Sequence, residues 1–395
     1  PAVSHYIKAL ELNPLDPESA YNLGNLYAEL DRYDEAIVAY ETALTISPHH
    51  LKALNNLGAV RHILCDLDRA IDCYNKVIQM DPDNPDAHYN KSLSLLLKGD
   101  FKEGWRLYEW RFKRQDYPPR IYPMRLWDGK TLRGSLLIYA EQGLGDTIQF
   151  VRYIKLLKDK GLKVFLHCQD ELVSLMRHSF DDVCDVISLN DPHPRCNFYF
   201  PLMSLPCIFQ TDLGSIPSEL PYIRPDERYV DKWRDLIGCD GGFKVGIVWA
   251  GKPEHKYTRM RSVRLGVFEP IFDIKGISFF SIQKGEASKD AEKYDFIRDY
   301  TAEISDFSDT AGLIQNLDLI ISIDTSVAHL AGALAKPVWI LLPCSPDWRW
   351  LLGRDDSPWY KTARLFRQKR IGQWDDVILM LKKEMEALVY QRLGQ

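Results

Sequence analysis

Hydrophobic and polar positions change rhythm partway along the chain. Through residue 112 the apolar and small residues recur at helical spacing, and one longer period organises them. Tyr6, Tyr40, Tyr74 and Tyr108 are each 34 residues apart, as are Pro14, Pro48 and Pro82. Ala2, Ala36 and Ala70 keep that step, with Gly104 in the fourth place; Gly24 and Gly58 keep it, with Ser92 following. Small residues allow two helices to approach closely, the tyrosines fill the gap between units, and Pro stops the second helix because it has no N–H. Full helical hairpins are expected from Pro17, Leu51 and Pro85, after a partial one that supplies only its second helix. Beyond Trp110 the period fades, and Arg111 to Gly134 reads as a connector. Short apolar runs then alternate with helical patterns. Strands are expected at 136–140, 163–167, 183–187 and 198–200, and again at 244–249, 277–283, 317–323 and 338–342. Helices are expected at 171–177, 310–316, 327–334 and across 374–393, with a Pro-rich passage at 217–225 between the two sets.

A period of 34 residues with this distribution of small residues, aromatics and Pro is the tetratricopeptide signature. Stacked repeats need capping ends, so a chain that opens inside a repeat looks like the tail of a longer array. Asn22, Asn56 and Asn90 share one phase of the period, on the first helix of each repeat. A carboxamide offers donor and acceptor together, so such a ladder can pair with the backbone of an extended peptide. The same residues can equally bond to neighbouring turns and hold the repeats in register. The alternating strands and helices that follow predict doubly wound parallel sheets. The expected segments are repeats over 1–112, a connector over 113–134, Rossmann-like halves over 135–225 and 226–372, and a final helix over 373–395.

Composition narrows the function. Fifty basic and fifty-five acidic residues leave 395 residues with a net charge of −5, and no basic stripe marks a nucleic-acid binder. No apolar run reaches the roughly 18–20 residues of a membrane span, and Pro-Ala-Val-Ser at the start shows no signal-peptide pattern, so none is expected there. Eight cysteines, at 65, 73, 168, 184, 196, 207, 239 and 344, form no C-x-x-C pair, so reduced thiols in a cytoplasmic protein are expected and no metal site.

Three places carry candidate chemistry. Gly143-Leu144-Gly145-Asp146 follows a strand and opens a helix; glycines there permit a sharp turn and a close neighbour. It is not a full dinucleotide fingerprint, because position 148 is Ile. Asp146 is either a helix cap or a carboxylate facing a cleft. Asp324-Thr325-Ser326 ends a second strand and leads into a helix carrying His329, where exposed N–H groups and hydroxyls suit a phosphate. The plain alternative is a cap and a core histidine. Third, the loop from Gly251 to Arg264 carries Lys252, His255, Lys256, Arg259, Arg261 and Arg264, with Gln283-Lys284-Gly285 on the same rim.

These residues resemble a family. The run from Ile323 to Ala333, continued through Lys336-Pro337-Val338-Trp339, is similar to the donor-site motif of the bacterial heptosyltransferases, glycosyltransferase family 9 and relatives. Gly145-Asp146-Thr147 is similar to their N-terminal Gly-Asp motif. With the repeats in front, the chain resembles bacterial tetratricopeptide-containing glycosyltransferases of the GT-B type, some of which glycosylate flagellin. Its domain order and asparagine ladder resemble those of the O-GlcNAc transferases. The resemblance implies a tetratricopeptide solenoid followed by two Rossmann-like domains facing across a cleft. It implies an inverting, metal-independent transfer from a nucleotide diphosphate-sugar, with no further cofactor, to Ser or Thr of a protein. Asp146 is then the base; Asp324 contacts the sugar; Thr325, Ser326 and His329 hold the diphosphate with Arg261, aided by Gly143, Gly145 and Lys284. Ser326 stands where the family often has Gly. A lipid-linked saccharide as acceptor, or a nucleotide-sugar-binding scaffold without turnover, are the rival readings.

Overall fold

The computed structural model describes residues 2–238, 241–252 and 258–393. Cys239, and His255 and Lys256 of the cationic loop, lie outside them. The chain forms two compact units. The first holds residues 1–119 together with 210–213 and 344–352; the second holds the remainder.

The first unit is built from helices α1 (Ala2–Leu12), α2 (Pro17–Glu29), α3 (Tyr33–Ile46), α4 (Leu51–Ile63), α5 (Leu67–Met80), α6 (Pro85–Lys98) and α7 (Phe101–Tyr108). Helices α2, α4 and α6 begin at the expected residues. Asp16 and Asn84 cap α2 and α6 through their side chains, and Pro17 and Pro85 take the first helical position, where the missing N–H costs nothing. The turns that join each hairpin repeat as well. Asp31, Cys65 and Gly99 are 34 residues apart, and all three have positive φ, at 59°, 59° and 92°. Only the third repeat uses the residue suited to that conformation. Tyr40 and Tyr74 seat their rings on the glycine of their own repeat, and Tyr40 also joins the apolar cluster that holds Ala53 and Leu57 of the next. A Cβ on Gly24 would lie 2.6 Å from the Tyr40 ring, and one on Gly58 would lie 2.6 Å from Tyr74. The glycine therefore sets how closely the two helices of a hairpin approach.

Segment 344–352 is stitched into this unit. Trp348 meets Trp105 edge-on at 5.1 Å, and the Cys65 thiol donates to the Cys344 carbonyl at 3.3 Å. His62 lies beside them, its Nδ1 2.9 Å from Ser94 Oγ.

The second unit contains two parallel sheets. Strands β1 (Arg125–Leu126), β2 (Ser135–Tyr139), β3 (Lys163–Cys168), β4 (Cys184–Ser188) and β5 (Phe198–Pro201) form one, in the order β1-β5-β2-β3-β4. Strands β6 (Phe243–Val248), β7 (Ile277–Ser281), β8 (Ile297–Asp299), β9 (Leu319–Ile323), β10 (Val338–Leu342) and β11 (Ala363–Arg367) form the other, in the order β11-β10-β9-β6-β7-β8. Every residue of β9 and β10 is buried, as a strand covered on both faces requires. The helices of this unit are α8 (Leu144–Phe150), α9 (Ile154–Asp159), α10 (Asp170–Ser179), α11 (Leu205–Ile208), α12 (Glu227–Ile237), α13 (Thr258–Arg261), α14 (Glu269–Phe272), α15 (Phe307–Gln315), α16 (Ser326–Ala333) and α17 (Asp375–Leu393).

Several elements depart from the sequence expectation. The stretch read as a connector contributes β1, which pairs with β5 at Arg125↔Phe198. Strands β8 and β11 and helix α12 were not expected. Helix α12 is held by Asp309 on α15, which accepts from Lys232 at 2.6 Å and from the Trp233 indole at 3.1 Å. Burial pushes the Asp309 carboxyl up, but Lys232, the Ser305 N–H and Trp233 outweigh it and hold it below the usual carboxylate range. Helix α17 is part of the six-stranded core: Val377, Ile378, Leu381 and Met385 bury against the same cluster as Val245, Ile321 and Phe366.

The half-buried His62 makes a pH prediction. Burial pushes its imidazole from 6.5 down to about 4, with Asp347 opposing. Above the unfolded value both states are neutral and stability is full. As pH falls below it, the unfolded chain binds a proton that the folded chain refuses. Stability should fall by about 3 kcal/mol between roughly pH 6.5 and 4. Urea midpoints measured across that range should fall less in His62→Gln than in the parent; parallel curves would exclude His62 as the group responsible.

Candidate active site

The candidate residues emerge where strands end. In the five-stranded sheet β2 stops at Tyr139, and Ala140 to Gln142 lead to Gly143, the cap of α8. Asp146 is not itself the capping residue. It sits in the first turn, and its Oδ2 accepts from the Gly143 N–H at 2.8 Å. This reach back from the third helical position satisfies a donor that the helix leaves open.

In the six-stranded sheet β9 runs into Asp324 and Thr325. The buried Ser322 hydroxyl bonds the Ile323 carbonyl at 2.6 Å and lies 3.0 Å from Thr325 Oγ1. Thr325 is the capping residue of α16 but its side chain makes no capping bond. Asp324 is 9% exposed and His329 5%. His329 Nε2 is 3.7 Å from Asp324 Oδ1, and Nδ1 is 2.8 Å from the Tyr360 hydroxyl.

The two motifs meet. Helices α8 and α16 pack so closely at Gly145 that a Cβ there would lie 2.8 Å from His329 Cδ2 and 3.4 Å from Ser326 Cα. No side chain fits at position 145 without displacing the imidazole. The glycine is needed for this close approach, and its own backbone is ordinary helix. Gly143, Gly145, Asp146, Asp324, Thr325, Ser326 and His329 therefore form one constellation.

The cationic rim is assembled by topology. Strands β9, β6 and β7 are parallel neighbours, so the segments that follow them leave the same edge of the sheet. Buried Gln283 ties two of those segments together. Its Oε1 accepts from the Ala250 N–H at 2.8 Å and its Nε2 donates to the Ala250 and Lys284 carbonyls. Arg261 ends α13, and its buried Nε has no hydrogen-bond partner among the described residues. Such a donor calls for an acceptor. Lys284 differs: its ammonium donates to the Thr301 and Ile304 carbonyls at 2.9 and 2.8 Å, which leaves one of three protons for anything else. Among the described residues, no group of three His, Cys, Asp or Glu side chains is arranged to hold a metal ion.

The asparagines belong to the first unit. Asn56 donates to Asn25 Oδ1 at 2.9 Å and Asn90 to Asn55 Oδ1 at 3.2 Å. Each bond links a repeat to the one before it. Asn25 also accepts from the Tyr40 hydroxyl at 2.8 Å. Asn22 is half-buried.

Sequence reasoning missed Arg152, which is 3% exposed. Among the described residues it has no carboxylate partner. Nε donates to the Gln149 carbonyl, Nη1 to the Pro217 and Trp359 carbonyls, and Nη2 to the Tyr222 hydroxyl, at 2.8–3.1 Å. The guanidinium also lies over the rings of Tyr222, Trp359 and Tyr360 at 4.5, 5.4 and 4.9 Å. It joins the end of α8 to the Pro-rich passage and to the segment that supports His329. An Arg among aromatics in a half-apolar run was the one available signal.

Known proteins match the two parts of the chain differently. The tetratricopeptide repeat family model matches residues 16–83, and a second tetratricopeptide model matches 73–106. Residues 16–106 are tetratricopeptide repeats. Protein FlbA of Caulobacter vibrioides is 25% identical over 441 residues, which cover 94% of this chain and 72% of FlbA. Hsp70-Hsp90 organizing protein 2 of Arabidopsis thaliana is 32% identical over 83 residues, 21% of this chain and 14% of that protein. The chain thus spans most of FlbA but a small part of the organizing protein. The crystal structure of the glycosyl transferase family 9 from Veillonella parvula DSM 2008 aligns with a TM-score of 0.47 and 12% identity, over 66% of this chain and 97% of that one. The repeats indicate a capacity to bind protein, and among the described residues no helix is long and apolar enough to cross a membrane.

Removing Arg152 should cost more than removing a surface cation. Arg152→Leu removes a donor from three carbonyls, two of them on buried residues, and from a buried hydroxyl, for a loss of about 3 kcal/mol or more. Arg152→Lys should also destabilise, because one ammonium cannot reproduce the planar fork. Urea unfolding followed by tryptophan fluorescence measures both; a loss under about 1 kcal/mol would mean that water replaces the guanidinium.

Proposed function

We propose that this chain is a glycosyltransferase of the GT-B type. It would move a sugar from a nucleotide diphosphate-sugar to a Ser or Thr hydroxyl of a protein held by the repeats. The observation that carries this reading is the meeting of Gly145 with His329, which joins the Gly-Asp and Asp-Thr-Ser-x-x-His motifs at one place.

In the proposed reaction Asp146 takes the proton of the attacking hydroxyl. The acceptor oxygen bonds to the anomeric carbon as the bond from that carbon to the diphosphate oxygen breaks. Attack from the face opposite the leaving group inverts the configuration. The nucleoside diphosphate departs with added negative charge. The start of α16, the Thr325 and Ser326 hydroxyls and Arg261 are suited to that charge, and the buried Arg261 Nε, without a hydrogen-bond partner among the described residues, supports its part. Asp324 is assigned to the sugar hydroxyls, since a carboxylate beside a diphosphate would repel it. The repeats would present the acceptor. The engaged amides of Asn56 and Asn90 leave carboxamide oxygens and the Asn25 and Asn55 amino groups as candidate contacts for a peptide backbone. Flagellin is the acceptor class that the family resemblance favours.

Incubation with a mixture of nucleotide sugars and candidate acceptor proteins, read by mass spectrometry, tests the reading directly. Asp146→Asn should lower transfer by about 10²–10⁴-fold while leaving nucleoside diphosphate binding intact. Near-normal turnover in that variant would leave Asp146 as a helix-terminus residue only. Activity should persist in chelator; loss that Mg²⁺ or Mn²⁺ restores would overturn the metal-independent route. Replacing Asn22, Asn56 and Asn90 together by Ala should reduce transfer to protein about tenfold or more, with donor hydrolysis unchanged.

A further inference from the structure

His329 is enclosed by chemistry that the motif alone does not contain. Tyr360, on the connection between β10 and β11, places its hydroxyl 2.8 Å from Nδ1, and the two rings meet edge to face at 5.7 Å. The Tyr360 ring is itself fixed. It packs on Gly332 of α16, where a Cβ would lie 2.4 Å from the ring, and the Arg152 guanidinium covers it at 4.9 Å. On the other side of the imidazole, Nε2 is 3.7 Å from Asp324 Oδ1 and borders Gly145.

We infer that Tyr360 is a positioning residue that holds the proton of a neutral His329 on Nε2 and so aims one N–H toward Asp324 and the start of α8. A neutral imidazole has one donor and one acceptor nitrogen, and its partners decide which is which. A carboxylate accepts and never donates when ionised, so the nitrogen facing Asp324 is the N–H. A phenol is a better donor than acceptor, so the nitrogen facing Tyr360 takes its O–H. The two preferences agree on one tautomer.

Among the described residues, the charged groups placed around the ring include Asp324 at Nε2, Arg152 behind Tyr360, and Asp146, next in sequence to the Gly145 that touches the ring. Asp324 and Asp146 favour an imidazolium. Arg152, the 5% exposure of His329 and the phenol proton on Nδ1 oppose it. A second proton would have to displace the Tyr360 O–H from Nδ1. In Tyr360→Phe that obstacle is gone while the ring packing on Gly332 and Arg152 remains, so His329 should protonate more readily or change tautomer. The effect on ligand binding, unlike the tautomer itself, rests on reading this site as a nucleoside diphosphate site. There Tyr360 would keep the histidine's contribution a hydrogen bond of constant strength rather than a charge that varies with pH.

The test has two readouts. Nuclear magnetic resonance of isotope-labelled imidazole nitrogens in the ligand-free full chain, with His329 assigned by its loss in His329→Gln, reports the tautomer. The expected result is neutral His329 with the proton on Nε2 from about pH 6 to 8, and an altered state in Tyr360→Phe. A proton on Nδ1 in the parent, or no change in the variant, would overturn the inference. Calorimetry with uridine, guanosine and adenosine diphosphate over the same range gives the second readout. Affinity should be level in the parent and should vary about threefold or more in Tyr360→Phe; equal profiles would overturn the positioning role. If none of the three binds while the resonance result holds, the tautomer assignment stands and the nucleotide reading fails.

Discussion

A buried guanidinium with no carboxylate partner among the described residues is the constraint on which the second unit's candidate site depends. An ion taken out of water costs several kcal/mol unless its hydrogen-bonding capacity is met. Arg152 meets it with backbone carbonyls, a tyrosine hydroxyl and aromatic faces. Its planar fork lets one side chain reach partners on several segments in fixed directions. The partners are far apart in sequence: the end of α8, the Pro-rich passage, and the stretch before β11. Tyr222, which accepts from Arg152, donates in turn to the Ile148 carbonyl, so the passage and α8 are bound twice. The Tyr222 backbone N–H meanwhile donates to the Ala333 carbonyl at the end of α16. This network links α8 and α16, the helices that bring Gly145 and His329 together.

The repeats solve a different problem with similar means. Each hairpin buries small residues such as Ala20, Ala36 and Ala53, which contribute little apolar area apiece. Precision comes from tyrosine rings seated on glycines and from amide bonds that run from one repeat to the next. A carboxamide used in that way is not lost to a ligand. Donation from Nδ2 leaves an oxygen that still accepts, and a fixed amide presents it in a fixed direction. The structural and the peptide-binding readings of the asparagines are therefore compatible, and the bonds between repeats are the physical reason that they could be.

Much of this was legible in the residues, and the failures have physical causes. Helices α2, α4 and α6 start where the period places them, because Pro and capping side chains mark those positions. Strands β9 and β10 stand out as continuous apolar runs. Strand β1 is two residues long and exposed, so it has no pattern to read; it exists because β5 offers an edge. Strand β11 mixes Arg with apolar residues, since its charged side chains reach outward to partners such as Glu384. In the site, the glycines and the Asp-Thr-Ser run announce themselves by type and spacing. Arg152 and Tyr360 do not, because their roles arise only where segments distant in sequence converge. Lys284 was drawn in by its position on the rim, yet its ammonium is largely spent on two carbonyls.

Asp146 illustrates why a capping role and a catalytic role need not compete. A carboxylate that reaches back to the Gly143 N–H has its torsions set by that bond. One oxygen is directed at the backbone, and the direction of the other follows from the planarity of the group. A base that must meet a hydroxyl proton in a narrow geometry gains from having its rotamers restricted before the substrate arrives. The cap also ties the carboxylate to the first turn of α8, the turn whose position Gly145 and His329 define from the opposite helix. Removing the capping bond would then free the side chain and disturb the site at once. The local interaction that looks purely structural in the sequence is, in this arrangement, what would make the carboxylate's position reproducible.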